Sequence, residues 1–187
     1  MLFGRGTSDV EVCITTYQRP YRVADIVAQL KNQTFDDFNI NVWNNSGTDL
    51  SIHGVFVHNA LENGGSQDRF KLVPMTKGNV IIFLDDDQNI TEDFVEYNYE
   101  QYKKFGENCI LGWYSKTWEI ENYWLPQARP KYGEEADYIG TAGMVLNRKI
   151  CEELQNIPEE YAKAEDLYLS YYARKKGMKL ISIDQKC

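Results

Sequence analysis

Three adjacent carboxylates, Asp85-Asp86-Asp87, follow directly on the apolar run Val80-Ile81-Ile82-Phe83-Leu84. Neighbouring aspartates repel one another unless a cation or a strong donor set faces them. Side chains of an extended chain alternate, so Asp85 and Asp87 project to the same side. Two carboxylates on one side suit a hard divalent cation that keeps positions open for phosphate oxygens. A solvated acidic turn after a core strand is the plainer explanation. The buried strand before the aspartates and the helix start after them favour the metal. A second acidic pair, Glu165-Asp166, opens the last helix, where the macrodipole alone would stabilise two acids. The two histidines, His53 and His58, lie near a short strand and are assigned no role.

The elements that must position these residues alternate in type. Val80 to Leu84, five apolar residues rich in β-branching, predicts a strand buried on both faces of a parallel sheet. Ligands of open α/β sheets sit at the carboxyl ends of such strands. Val10 to Thr16 is a first strand, followed by the loop Tyr17-Gln18-Arg19 and by Pro20, suited to a helix's first turn. Val23, Ile26, Val27 and Leu30 form one apolar helix face. Ile40 to Trp43 is a second strand, closed by the turn Asn44-Asn45-Ser46-Gly47, and Val55 to Val57 is a third. Ser66 is expected to cap a helix carrying Phe70, Leu72 and Val73, and Thr91 one with Glu92 and Asp93 in its first turn. Strands alternating with helices imply a parallel sheet with right-handed crossovers. No G-x-G-x-x-G follows the first strand and there is no P-loop, which disfavours dinucleotide and Walker-type phosphate binding.

The second half differs in character. Cys109 to Tyr114 predicts a strand, and an aromatic segment follows with Trp113, Tyr114, Trp118, Tyr123, Trp124 and Tyr132. Such rings stack on sugars or bases and equally fill small cores. Tyr138 to Leu146 predicts one further strand, in which Gly140 and Gly143 permit close approach of a ligand to the backbone. A helix from about Arg148 to Leu154, a last helix ended by Gly177 and a strand from Lys179 to Ile183 complete the chain.

At 187 residues the simplest organisation is one domain. A net charge of −8 argues against nucleic acid and against anionic membrane surfaces. Phosphate-bearing substrates would then need a metal bridge. Cys13, Cys109, Cys151 and Cys187 show no close pairing and no metal-ligand spacing, so free thiols in a reducing compartment, the cytoplasm, are expected. No run is long enough for a transmembrane helix. The sequence stops shortly after a strand, and continuation into a longer multidomain protein is an expectation.

Four features arrive in one order: a strand ending Thr15-Thr16-Tyr17-Gln18-Arg19-Pro20, the strand ending Asp85-Asp86-Asp87, the Gly140-Thr141-Ala142-Gly143 stretch, and Glu165-Asp166 opening a helix. Together they resemble the GT-A-fold glycosyltransferases, in particular the family-2-like inverting enzymes, over about Val10 to Ile183. The small size and free cysteines are also similar to soluble glycosyltransferase domains of large algal viruses. The resemblance implies an α/β fold: a single GT-A domain over residues 1–187, with a Rossmann-like, mostly parallel central sheet flanked by helices. Its nucleotide-binding half would span about 10–90 and its acceptor-binding half about 91–187.

It further implies a metal-dependent transfer of one sugar from a UDP-sugar, a UDP-hexose or UDP-deoxyhexose, to a hydroxyl of a glycan or glycoprotein. Thr15, Tyr17 and Arg19 would hold the nucleoside diphosphate. Asn44 stands where the family usually has an aspartate reading the uracil edge, and Arg69 matches a position near the base or the phosphates. Asp85 would take the ribose, Asp87 would ligate Mn²⁺ or Mg²⁺, and Asp86 is a candidate for either shell. Gly140 and Thr141 would lie near the donor sugar. Asp166 would be the general base, ionised at neutral pH if its pKa is near normal. No His follows Asp166 to act as a downstream metal ligand, and the Q-x-x-R-W motif of processive synthases is absent.

Two other classes fit parts of the pattern. An apolar strand ending in Asp-x-Asp opens the haloacid-dehalogenase-type phosphatases, but there on the first strand, whereas here three strands precede it. A non-catalytic sugar-nucleotide or glycan-binding module would have no need to keep both Asp87 and Asp166. A glycosidase with two carboxylates would not need the nucleotide loop.

Overall fold

The computed structural model describes residues 8–118, 128–154 and 157–187. In chain order the elements are β1 (Val10–Thr16), α1 (Val23–Lys31), β2 (Phe38–Asn44), β3 (Phe56–Asn59), α2 (Arg69–Leu72), β4 (Val80–Asp85) and α3 (Phe94–Phe105). There follow β5 (Cys109–Gly112), β6 (Ser115–Lys116), β7 (Tyr138–Ile139), β8 (Val145–Asn147), α4 (Arg148–Glu153), α5 (Glu165–Lys175) and β9 (Lys179–Ser182). Seven strands form one sheet in the order β3-β2-β1-β4-β8-β5-β9. The pairs β2–β3, β1–β2, β1–β4 and β5–β9 are parallel, and β8 runs antiparallel to both of its neighbours. The strands β6 and β7 make a separate antiparallel pair.

The continuous apolar run of β4 has the explanation expected of it. Val80, Ile82 and Leu84 enter one core with Val23, Ile26, Val27 and Leu30 of α1 and Phe94 and Val95 of α3. Ile81 and Phe83 enter the opposite core with Phe70, Ile150, Cys151, Leu169 and Ala173 from α2, α4 and α5. The five apolar residues of β4 are fully buried, each worth roughly 1.5–3 kcal/mol.

Three expectations change. Tyr138 to Leu146 is two strands, not one: Gly143 at φ +70° turns the chain, so β7 pairs with β6 while β8 joins β4 and β5. Thr91 does not cap α3, which begins at Phe94; its hydroxyl binds Asp93 instead. Ser66 does not cap α2; it starts a short 3-10 turn and its hydroxyl reaches Glu165. For Ser66 a tertiary partner outcompetes the local cap, whereas Thr91 bonds a nearer side chain, and a short side chain on either is free to choose.

The register levels the strand ends. Thr15 pairs with both Trp43 and Asp85, and Thr16 with Asn44. The carboxyl ends of β1, β2 and β4 therefore finish side by side, and their following loops converge. Far below them, buried Glu11 accepts from Asn39 Nδ2 (3.2 Å), Asn41 Nδ2 (2.8 Å) and the backbone N–H groups of Lys77 (3.1 Å) and Gly78 (2.9 Å). That carboxylate fixes the entry of β4 against β1 and β2.

Candidate active site

At the converging ends lies a cleft of about 500 Å³, within the range of small-ligand sites. It is lined by Thr15 to Arg19 after β1, by Asn45 after β2, by Asn63, Gly65, Ser66 and Arg69, and by Asp85, Asp86 and Asp87. Eight sequence-predicted positions can be located directly relative to it. Thr15, Tyr17, Arg19, Arg69 and the three aspartates line it; Asn44 does not.

Two arginines relieve the repulsion among the aspartates. Asp85 Oδ1 accepts from Arg69 Nη1 at 2.9 Å. Asp86, buried, accepts from Thr16 Oγ1 at 2.7 Å and pairs with Arg19 Nη2 at 2.8 Å. Asp87 Oδ2 accepts from Arg19 Nη1 at 3.0 Å. Asp86 above all holds the Arg19 guanidinium above its ordinary pKa. The strong donor set that such a cluster requires is thus supplied by side chains, one of them buried.

Arg69 extends this network across the cleft. Its Nε donates to Ser66 O at 3.0 Å, and its Nη2 lies 3.5 Å from Glu165 Oε1. Ser66 Oγ donates to Glu165 Oε2 at 2.6 Å. Glu165 is buried, and the next residue is Asp166, which is only partly buried. Asp166 lies outside the cleft lining, its Oδ2 accepting from Tyr138 Oη and its Oδ1 from Leu167 N at 2.8 Å. One continuous chain of polar contacts therefore runs from Asp85 through Arg69 and Glu165 to the turn that carries Asp166.

Asn44 is engaged in its own turn. Its Nδ2 donates to Thr48 O (2.7 Å) and Asn59 Oδ1 (2.8 Å), and its Oδ1 accepts from Ser46 N (3.0 Å). No donor is left for a base, and the neighbouring Asn45 reaches the cleft instead. Gly140 and Thr141 also lie away from the lining. A Cβ at Gly140 would come within 2.3 Å of a Tyr114 ring carbon, so this glycine makes room for an aromatic ring of the protein. Thr141 is buried. Thr15 Oγ1 is buried at the cleft and has no hydrogen-bond partner among the described residues.

Ser66, Glu165, Tyr138, Gln88 and Cys187 were not singled out as site residues in the sequence. Gln88 Oε1 accepts from Asp85 N at 2.9 Å, and its Nε2 donates to Cys187 Sγ at 3.0 Å, beside Trp113 Nε1 at 2.9 Å. Burial pushes the Cys187 thiol up to about 11, against the lowering effect of those two donors. The only sequence signal for Gln88 was its place immediately after the aspartates. Tyr123 and Trp124 of the aromatic segment lie outside the described residues; Tyr114, Trp118 and Tyr138 pack as neighbouring rings with centroids 6.2 Å apart.

Among the described residues no three His, Cys, Asp or Glu side chains converge as a metal cage. A cation here would take one or two aspartate oxygens and complete its shell from diphosphate and water, as Mg²⁺ often does. The half-exposed Asp87 fits that role.

A sequence model of the family described as glycosyl transferase family 2 matches residues 11–154. The chain belongs to glycosyl transferase family 2. It is by family a glycosyltransferase, and its mostly parallel seven-stranded sheet with flanking helices is a GT-A fold. Solved structures of S. aureus TarS share that fold. The 1-349 form in complex with UDP superposes with a TM-score of 0.69 at 16% identity, over 94% of this chain and 58% of that one. Its complex with UDP-GlcNAc superposes with a TM-score of 0.70 at 17% identity, over 94% and 56%, and the longer TarS with 0.70 at 16%, over 94% and 35%. The chain thus spans less than two thirds of each of these relatives. No curated protein matches it. Among the described residues no helix is long and apolar enough to cross a membrane.

Proposed function

We propose that this domain transfers one sugar from a UDP-sugar to an acceptor hydroxyl of a glycan or glycoprotein, with inversion at the anomeric carbon. The observation that carries it is the link from Asp85, at the nucleotide end of the cleft, through Arg69 to Glu165 beside Asp166. On this reading that link would hold the group facing the nucleotide and the candidate base in one frame, which supports the assignment. The UDP and UDP-GlcNAc bound to TarS support a uridine nucleotide. UDP-hexoses and UDP-deoxyhexoses are the first donors to screen, with UDP-GlcNAc beside them.

Thr15, Tyr17 and Arg19 would cradle the nucleoside diphosphate, Thr15 Oγ1 supplying a hydroxyl that no group among the described residues engages. Asp85 would accept from the ribose hydroxyls, with Arg69 keeping its carboxylate turned toward them. Arg19 would exchange one aspartate for a phosphate oxygen, a geometry its planar fork suits. Mn²⁺ or Mg²⁺ at Asp87 would supply Lewis-acid stabilisation of the charge on the departing diphosphate. Asp166 would take the acceptor hydroxyl's proton as that oxygen bonds to the anomeric carbon and the bond to the diphosphate breaks. Thr141 and Gly140 would shape the donor-sugar end from behind the Tyr114 ring. Four free thiols support a reducing, cytoplasmic setting.

Isothermal titration with UDP, with and without Mn²⁺, tests this. Metal-dependent binding that Asp87→Ala abolishes is the expected result. Equal binding without metal sinks the role of Asp87, and inertness toward UDP and other nucleoside diphosphates sinks the donor assignment.

A further inference from the structure

Asp166 lies outside the cleft lining with both carboxylate oxygens engaged, and the group on its Oδ2 comes from a different element. Tyr138 lies on β7, whose register against β6 pairs it with Lys116. The next residue, Ile139, is tied to α5 twice: its N–H donates to Ser170 Oγ at 3.1 Å, and that hydroxyl donates to Ile139 O at 3.4 Å. The strand carrying the phenol and the helix carrying the carboxylate are thereby fixed to one another four residues along from the contact. The Tyr138 ring is held from the side by Tyr114 and Trp118. A Cβ at Gly140 would stand 3.2 Å from the Tyr138 hydroxyl and against the Tyr114 ring. The absence of a side chain there lets the phenol reach Asp166.

Accepting the reading of Asp166 as base, on which this rests, we infer that Tyr138 is its positioning residue. The phenol holds Oδ2 while Leu167 N–H holds Oδ1, which leaves the carboxylate one fixed orientation toward an incoming hydroxyl. Tyr138 is a donor throughout the working range, because burial first and Asp166 second raise its pKa far above the ordinary phenol value. The other groups facing this pair are Glu165, paired with Arg69, the Tyr114 phenol, and Lys116, whose ammonium lies 5.9 Å from the Tyr138 ring centre.

The test is Tyr138→Phe, which retains the ring packing and removes only the donor. Carboxyl-labelled aspartate NMR at neutral pH reads the Asp166 side-chain signal, assigned by its loss in Asp166→Asn. The expected result is a displaced Asp166 signal with the other aspartate signals unmoved. UDP release from whichever UDP-sugar turns over should fall about tenfold or more in kcat with the donor KM unchanged. An unmoved Asp166 signal, or a wild-type kcat, overturns the inference. Wild-type turnover in Asp166→Asn overturns it too, and by a separate route, since then the base itself is misassigned. If Tyr138→Phe does not fold, 3-fluorotyrosine at position 138, a stronger donor of nearly the same shape, should displace the Asp166 signal while retaining turnover; no displacement has the same overturning force.

Discussion

Arg69 Nη2 and Glu165 Oε1 lie 3.5 Å apart, and both side chains are only 7% exposed. The two residues are 96 positions apart in sequence, on the short helix α2 and at the first turn of α5. Arg69 also holds Asp85, so one guanidinium serves two carboxylates, one lining the cleft and one buried at the start of α5. Removing one member of a buried charged set leaves the others uncompensated, which costs about 3–5 kcal/mol. Arg69→Met should therefore destabilise strongly, whereas Glu165→Gln, which retains an acceptor for Ser66 Oγ, should cost less. Urea unfolding of the two variants checks the order; equal losses would mean that Arg69 contributes through Glu165 alone.

Arg19 pairs with Asp86 and Asp87, so a cation held by these carboxylates would have to compete with it. In the absence of nucleotide, Arg19→Ala should tighten Mn²⁺ binding several-fold at low ionic strength, and Asp87→Asn should abolish the gain. Electron paramagnetic resonance titration of free Mn²⁺ measures both. The same Arg19→Ala variant should bind UDP more weakly, since a planar donor for the phosphates is lost.

Asp166→Asn should keep UDP affinity nearly unchanged and lower turnover at least about a hundredfold, the scale of general-base effects. Parallel calorimetry and product-release assays separate the two quantities. A variant that turns over normally would place the base elsewhere.

The segment after β9 is fastened to the start of α3. Lys186 Nζ pairs with Asp93 at 2.6 Å, Thr91 N donates to Lys186 O at 2.9 Å, and Asp184 N donates to Tyr97 Oη at 3.0 Å. The hydrogen bond from Lys186 above all lowers the Asp93 pKa. A carboxylate whose folded pKa is depressed stabilises above its unfolded value, near 3.9, and loses that contribution as pH falls through the folded value. The fastening should thus be complete at neutral pH and weaken below about pH 4. Faster amide exchange at Thr91 in Asp93→Asn, already at neutral pH, is the check. The overall stability change should be small, because the pair is largely exposed.

Much of the fold was legible because its signals are local. Val80 to Leu84 needed only composition to announce a strand covered on both faces, and the aspartates behind it announced the cleft. Lengths and pairings were harder. Nothing in Tyr138 to Leu146 says that the chain leaves one sheet for another, since both pieces are apolar and only the φ of Gly143 marks the change. The seven-stranded order could not be read either, because β8 inserts between β4 and β5 by a long excursion. At the site, residue types were easier than roles. Asn44 and Ser66 have side chains equally able to face a ligand, to close a turn or to cap a helix, and the winner is set by partners at Asn59 and Glu165. Arg69 was visible as a cation near the cleft, but its bridging depends on two carboxylates that sequence separates by 16 and 96 residues.

The insertion of β8 has a consequence for anyone who would cut this domain in two. Residues 10–90 contain β1 to β4, yet β4, at one edge of that set, is paired on its far side by Val145–Asn147. A fragment stopped after residue 90 would expose a long apolar strand edge, the template on which chains aggregate. The first half would not be an independent module, and its last edge would close only once the chain's later part has been made. Chimeras that graft a foreign first half onto this second half would have to match that three-residue strand as well as the cleft.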